Sequence, residues 1–194
     1  MSQTPDHLQR LAALLAQPIA ESFGILEEWQ PAAPWLAPAR RELADLSLAR
    51  WQGEHTRLFV NGFPKTPCPP FESAYREGRM GGEVRADLID LYRRAGLTAT
   101  GAPADYLGTQ LECTAYLIAR IQDPNGGAAG ASDAEPGPPL ADPPQQLLAH
   151  LWDQHLALWL PRFAADLQDA ADLILYRELG GQLAALRRPG PGDA

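Results

Sequence analysis

Apolar residues recur at helical spacing along most of the 194-residue chain, and this periodicity constrains the fold more than any other feature. Val84, Leu88, Leu91 and Ala95 fall on one face of a helix, and Gly96 suits the residue that ends it. No stretch alternates apolar and polar residues at period two with the β-branched and aromatic side chains typical of a half-buried strand. The sequence therefore predicts an all-α fold, a single helical-bundle domain.

The same periodicity predicts a helix through Leu107, Leu111 and Ala115, which lie four residues apart. Two residues are expected to interrupt other helices. Gly53 favours a break or kink because glycine costs about 1 kcal/mol in a helix interior. Pro161 is expected to end or kink its helix because it lacks an N–H donor.

The bundle is predicted to span residues 1–188. Residues 123–144 are dense in glycine, proline and alanine and poor in large apolar side chains. Such a segment cannot bury enough surface to offset the entropy cost of ordering it, so we expect a mobile linker there. Residues 189–194 are expected to form a disordered tail.

Charge and apolar content exclude several classes of protein. The net charge of -8 argues against non-specific nucleic-acid binding, because the phosphate backbone repels such a surface. The N-terminal segment lacks the basic start of a signal peptide, and no segment has the continuous apolar length of a membrane span. Cys68 and Cys113 stand outside any metal-ligand spacing and are expected to be reduced thiols. These features predict a cytoplasmic protein.

No catalytic or metal-binding motif assembles from the sequence. His150 and His155 are five residues apart, so on an α-helix they point about 140° away from each other, whereas helical metal ligands normally stand at i and i+4. We therefore expect one exposed and one packed histidine and no metal site. Asp87 and Asp90 are interpreted as part of a solvated helix face. The glycines of the linker lack the lysine and the preceding strand of a phosphate-binding loop.

A proline-rich loop is the feature best suited to recognition. It follows a helical segment in "EHTRLFVNGFPKTPCPPFESAYR", residues 54–76, and Phe63, Phe71 and Tyr75 lie along it. A rigid loop loses little conformational entropy on binding, so this stretch favours a role in binding a partner.

Three segments resemble the signature motifs of the TorD/DmsD/NarJ family. The first combines "E-x-x-R-L-F", a proline-rich loop and "P-P-[YF]-E-S-x-Y", and this chain keeps it in Glu54, Arg57, Leu58, Phe59, Pro69, Pro70, Phe71, Glu72, Ser73 and Tyr75.

The other two motifs follow in order. "P-x-D-H-[ILV]-x-x-E-L" is matched at Pro103, Asp105 and Leu111, while Tyr106 stands where the family usually has histidine and Gln110 where it usually has glutamate. "HL-x-x-W-x-P-x-F" is matched by His155, Leu156, Trp159, Pro161 and Phe163.

The resemblance implies a TorD-like cytoplasmic chaperone, monomeric or weakly dimeric, with no catalytic activity or cofactor of its own. Its partner would be the catalytic-subunit precursor of a dimethyl-sulfoxide-reductase-type molybdoenzyme, which carries molybdopterin-guanine dinucleotide. The chaperone would bind the N-terminal leader of that precursor, often a twin-arginine signal, assist cofactor insertion and delay export. The residues expected at the leader site are Phe71, Glu72, Tyr75, Pro103, Asp105, Tyr106 and His155.

Two alternatives stay open from the sequence. Asp105 either pairs with a leader arginine or only caps the helix that follows Pro103. The chain as a whole could instead be an all-helical hydrolase or nucleotide-binding enzyme that uses Asp105 and its histidines. Release of phosphate from a nucleotide would favour that second class, and co-purification with a molybdoenzyme subunit would favour the chaperone.

Overall fold

The structure is a computed structural model that describes residues 4–29, 31–123 and 140–189. Ten α-helices and two π-helical segments follow one another in the described chain. In order they are α1 (Pro5–Ala13), α2 (Ser22–Trp29), α3 (Leu36–Ala44), α4 (Leu48–His55), π1 (Thr56–Val60), α5 (Glu72–Arg76), α6 (Glu83–Arg94), α7 (Leu107–Gln122), α8 (Pro144–His150), π2 (Leu151–Leu156), α9 (Ala157–Ala170) and α10 (Ile174–Ala185).

The predicted all-α fold is confirmed, since the described residues contain no strand. The nearest approach to β-structure is one isolated antiparallel bridge between Phe71 and Tyr106. Within the described ranges, no helix has both the length and the apolar character needed to cross a membrane.

The chain divides into two compact units, and each has a buried apolar core. Of the described residues, the first contains 4–13, 71–123, 140–159 and 186–189, and the second contains 14–29, 31–70 and 160–185. The division therefore falls inside α9, between Trp159 and Leu160. Of the predicted linker, residues 124–139 lie outside the described residues, as do residues 190–194 of the predicted tail.

α7 is the central helix of the first unit and packs against α1, α8 and π2. Its predicted apolar face is confirmed, because Leu107, Leu111 and Ala115 are fully buried. The predicted face of α6 is also buried. Gly96 follows α6 with φ of +70°, a left-handed conformation that glycine adopts without a steric penalty.

The predicted break at Gly53 and the predicted helix end at Pro161 are both wrong. α4 runs through Gly53 without a break, and Pro161 lies inside α9. Proline removes one hydrogen bond from the helix, but the residues after it, Phe163 and Leu167, are completely buried. Burial of that apolar face outweighs the single missing bond.

A buried carboxylate holds two helices of the second unit together. Glu54, near the end of α4, has a 1% exposed side chain. It accepts hydrogen bonds from the Arg57 guanidinium at 2.8 Å and from the backbone N–H of Asp172 at 2.7 Å, just before α10. Arg57 also donates to the carbonyl of Ala170 at 2.7 Å. The "E-x-x-R" part of the first motif is therefore a structural clamp in this fold.

The clamp favours the ionised carboxylate. Burial by itself raises the pKa of Glu54, but hydrogen bonds from Arg57 and from the backbone N–H groups of Asp172 and Leu173 outweigh burial and leave that pKa below its ordinary value. The folded state thus binds the proton of Glu54 less readily than the unfolded chain does. The resulting stabilisation is present above the ordinary glutamate pKa and is lost as the pH falls through the lowered one.

We expect Glu54→Gln to lower the free energy of unfolding by about 2 kcal/mol at pH 7, because the charged acceptor of three hydrogen bonds is lost. The difference from the parent should shrink in acid, where Glu54 of the parent is itself protonated. Urea unfolding at pH 7 and at acidic pH measures both effects. Glu28→Gln, which removes an exposed carboxylate of the same unit, should leave stability unchanged. A pH-independent difference would contradict the assignment.

Candidate functional site

The buried carboxylate of Glu72 organises the polar interior of the first unit. Glu72 begins α5, and its side chain is 0% exposed. Its two oxygens accept hydrogen bonds from Arg76 Nη1 at 2.5 Å and from Gln110 Nε2 at 2.8 Å. His155 Nδ1 lies 3.1 and 3.2 Å from the same two oxygens. Side chains from α5, α7 and π2 therefore converge on one negative charge.

Asp105 joins the loop before α7 to the start of α5. Its carboxylate accepts a hydrogen bond from the Ser73 hydroxyl, and its backbone carbonyl accepts the N–H of Glu72 at 2.9 Å. The capping interpretation of Asp105 is wrong, because Tyr106 occupies the N-cap position of α7 and no side chain caps it. Oδ1 of Asp105 is buried and has no hydrogen-bond partner within the described ranges.

The two histidines lie side by side, contrary to the prediction from their spacing. The rings of His150 and His155 are 5.8 Å apart and stacked, because residues 151–156 form a π-helix and not an α-helix. The wider π turn bonds residues i and i+5, which brings residues five apart onto one face. The packing prediction holds for one histidine only: His155 is 1% exposed, whereas His150, expected to be exposed, is half-buried with a side chain 34% exposed.

Asp87 on α6 is exposed, as its sequence context predicted, and its carboxylate also faces both histidines. Its Oδ2 lies 3.2 Å from Nε2 of His155 and 3.6 Å from Nε2 of His150. The three side chains border a cleft of about 650 Å³, which Arg76, Glu77, Glu83 and Gln154 also line. Asp87, His150 and His155 are the described residues that could together hold a metal ion.

The residues predicted for the leader site differ in accessibility. Glu72, Asp105 and His155 are buried, whereas Phe71, Tyr75, Pro103 and Tyr106 are half-buried. Phe71 and Tyr106 contact each other, with ring centroids 5.7 Å apart, and Tyr75 contacts Trp159 at 5.4 Å. Among the predicted residues, these three aromatic residues and Pro103 are thus the ones with accessible surface.

A groove of about 400 Å³ runs beside Tyr106. The loop of residues 97–102, Thr109, Glu112 and Tyr116 also line it. The Tyr106 ring lies so close to Gly108 that an added Cβ there would approach its Cε1 to 2.4 Å, so glycine is needed at this position. Burial raises the pKa of Tyr106 to about 12, and the phenol is therefore uncharged at neutral pH.

A second pocket of about 340 Å³ shares residues 97–99 and Ala102 with the groove. It adds Ile89, which is 49% exposed, and the cations Arg85 and Arg93. The two pockets together offer an apolar surface with a carboxylate, Glu112, in one pocket and guanidinium groups in the other.

Five members of these sites were not predicted from the sequence: Arg76, Asp87, Gln110, Glu112 and His150. Arg76 could have been found from its i+4 spacing to Glu72, which places both side chains on one helix face. Asp87 and His150 carry no such signal, because their meeting depends on the π segment.

The nitrate reductase delta subunit family model matches residues 24–165 of the chain. The chain belongs to the nitrate reductase delta subunit family. This confirms the TorD/DmsD/NarJ resemblance seen in the three motifs. No curated protein matches the chain.

The fold is shared with a crystal structure of a proposed redox enzyme maturation protein from Archaeoglobus fulgidus. The TM-score is 0.65 at 18% sequence identity, and the similarity covers 95% of this chain and 93% of that one. At this level of identity the similarity shows a common fold. Membership of the delta subunit family and this fold together support a role in redox enzyme maturation.

This family member has Gln110 where a glutamate is usual, and the Gln110 amide donates a hydrogen bond to the buried carboxylate of Glu72. We expect Gln110→Glu to destabilise the protein by about 2 kcal/mol at pH 7, because two carboxylates would face each other in place of an amide donor and an acceptor. One of them must take up a proton, so the cost should diminish as the pH falls. Thermal unfolding at pH 7.5 and pH 5 checks this. Gln145→Glu, the same change at an exposed position, is the control.

Proposed function

We propose that this chain is a cytoplasmic chaperone that binds the N-terminal leader of a molybdenum-dependent oxidoreductase catalytic subunit. It would hold the precursor while the molybdopterin cofactor is inserted and delay export until loading is complete. The observation that carries the proposal is the delta subunit family match over residues 24–165, which includes all the motifs. The protein would act by binding and not by catalysis.

The groove beside Tyr106 offers a place for the leader. Tyr106, the last residue of the "P-x-D" hinge (residues 103–106), lines it and supplies an aromatic wall. Apolar leader residues would bury surface there at roughly 25 cal/mol per Å². Buried Glu72, Asp105 and His155 would support the hinge from behind, since each is at most 1% exposed.

The charged residues of the two pockets favour one orientation of the bound leader. Glu112 is exposed in the groove, so it can meet a leader arginine without rearrangement. Arg85 lines the neighbouring pocket and would repel the same arginine, whereas Arg93 in that pocket is paired with Asp90 at 2.5 Å. We therefore place the basic part of the leader at Glu112 and its apolar stretch toward Ile89. The net charge of -8 would also attract a basic leader from a distance.

Tyr106→Ala should weaken leader binding by about 1–2 kcal/mol through lost apolar contact, and Glu112→Gln by up to about 1 kcal/mol, as expected for an exposed ion pair. The Glu112 effect should fade as salt rises, and the Tyr106 effect should persist. Calorimetric titration with a synthetic leader of a molybdoenzyme subunit from the same genome measures both.

Glu21→Gln, at an exposed position of the other unit, is the matched control and should bind the leader as the parent does. A leader whose arginines are replaced by glutamine should be insensitive to Glu112→Gln. If the parent and the variants bind both leaders equally, the groove is not the leader-binding site. Lack of leader binding under all salt conditions would contradict the proposed function itself.

Asp105→Asn tests whether a leader arginine reaches the buried carboxylate. Asparagine retains an acceptor for the Ser73 hydroxyl, so the melting temperature should hold. If a leader arginine pairs with the unpartnered Oδ1, loss of the charge should weaken leader binding by about 1–3 kcal/mol. This pairing requires the hinge to move, because Asp105 is 1% exposed. Unchanged affinity would restrict Asp105 to its bond with Ser73.

A further inference from the structure

Two histidines and a carboxylate meet at one edge of the first unit, outside the proposed leader groove. One ligand atom from each of Asp87, His150 and His155 lies within 4.8 Å of the others. They come from α6, the end of α8 and π2, so the fold assembles them from separate elements. The π segment is decisive, since an α-helix would turn the two imidazoles apart.

Glu72 fixes the protonation of His155. Its carboxylate oxygens lie 3.1 and 3.2 Å from Nδ1, so the N–H of the imidazole donates to Glu72 from that nitrogen. In the neutral imidazole the other nitrogen, Nε2, then carries a lone pair. A carboxylate behind a histidine in this way is the arrangement that orients metal-binding histidines in proteins and makes them more basic.

The Nε2 lone pair of His155 faces the Asp87 carboxylate. The two atoms are 3.2 Å apart, yet Nε2 of His155 is buried and has no hydrogen-bond partner within the described ranges, and Nε2 of His150 is in the same situation. Two acceptors at this distance repel each other unless a cation lies between them. That cation is either a proton, giving an imidazolium between two carboxylates, or a metal ion.

The distances suit a metal ion. Zinc bonds of about 2.0–2.2 Å at a tetrahedral angle separate neighbouring ligand atoms by about 3.4 Å. The Asp87 oxygen lies 3.2 Å from His155 Nε2 and 3.6 Å from His150 Nε2. Two imidazole nitrogens and one carboxylate oxygen would leave a fourth position for water from the cleft.

The surrounding charges are compatible with a bound cation. Glu77 and Glu83 line the same cleft, and Glu72 lies behind His155. Arg76 also lines the cleft, but its guanidinium is bonded to Glu72 at 2.5 Å and to the carbonyl of Gln154 at 2.9 Å. Negative charge therefore exceeds positive charge around the three ligands.

We propose that Asp87, His150 and His155 bind one divalent transition-metal ion of the zinc class, with Glu72 as the positioning residue for His155. The site does not depend on leader binding. The bound ion would tie α6 to the helical stretch of α8 and π2.

The test uses full-length, untagged protein, stripped of metal and titrated with Zn²⁺ by calorimetry at pH 7.5. We expect one equivalent to bind and the melting temperature to rise with zinc concentration, because the ion binds only the folded state. Co²⁺ at the same site should give the visible absorption bands of a tetrahedral complex with nitrogen and oxygen ligands.

Asp87→Asn and His150→Ala change partly exposed side chains and should each weaken zinc binding at least about tenfold without loss of fold. Glu72→Gln should weaken it about tenfold or more by disturbing His155. His7→Ala removes a histidine outside the cluster and should have no effect. Binding below one equivalent, or equal in the parent and the first two variants, would overturn the proposal. So would an imidazolium at His155 that persists at pH 7.5 in saturating zinc.

Discussion

The carboxylate of Glu72 is the interaction on which the first unit depends. A buried charge is tolerated only when it is paired and hydrogen-bonded, and here Arg76, Gln110 and His155 supply the donors. Each donor comes from a different part of the chain. The cost of leaving the charge unsatisfied therefore fixes α5, α7 and π2 in one arrangement, and the hinge before α7 is fixed with them through Asp105.

The second unit also contains a buried carboxylate whose charge is stabilised by hydrogen bonds. Glu54 is buried, bonded to Arg57, and bonded to the backbone just before α10. Both units thus contain a Glu–Arg pair within one helical turn whose glutamate reaches a distant segment. Both glutamates of the first family motif, Glu54 and Glu72, therefore stabilise the fold. Because they are buried, they are not part of an exposed binding surface. The aromatic residues Phe71, Tyr75 and Tyr106, in contrast, are half-buried and keep part of their surface exposed.

The helices could be predicted from the sequence because their apolar stripes are regular, as in α6 and α7. The continuity of α4 and α9 could not be predicted in this way. Gly53 and Pro161 each disfavour a helix locally, and burial of residues elsewhere in the chain outweighs that cost. The candidate site was predicted in part. Family motifs pointed to Glu72, Asp105 and His155, but Asp87 and His150 meet them only through a π turn, which has no signature in apolar spacing.

The π segment from Leu151 to Leu156 has a consequence for comparing this chain with its relatives. Such a turn holds one residue more than an α-helical path of the same length, so removal of a single residue would restore regular winding. The downstream apolar residues would keep their phase, and a deletion between His150 and His155 would leave the two residues four apart on an α-helix, about 40° from each other. A relative that lacks one residue here would therefore preserve the core, every motif and the two imidazoles on one face. Relatives whose histidines are four residues apart need no π turn to pair them, whereas the five-residue spacing of this chain does.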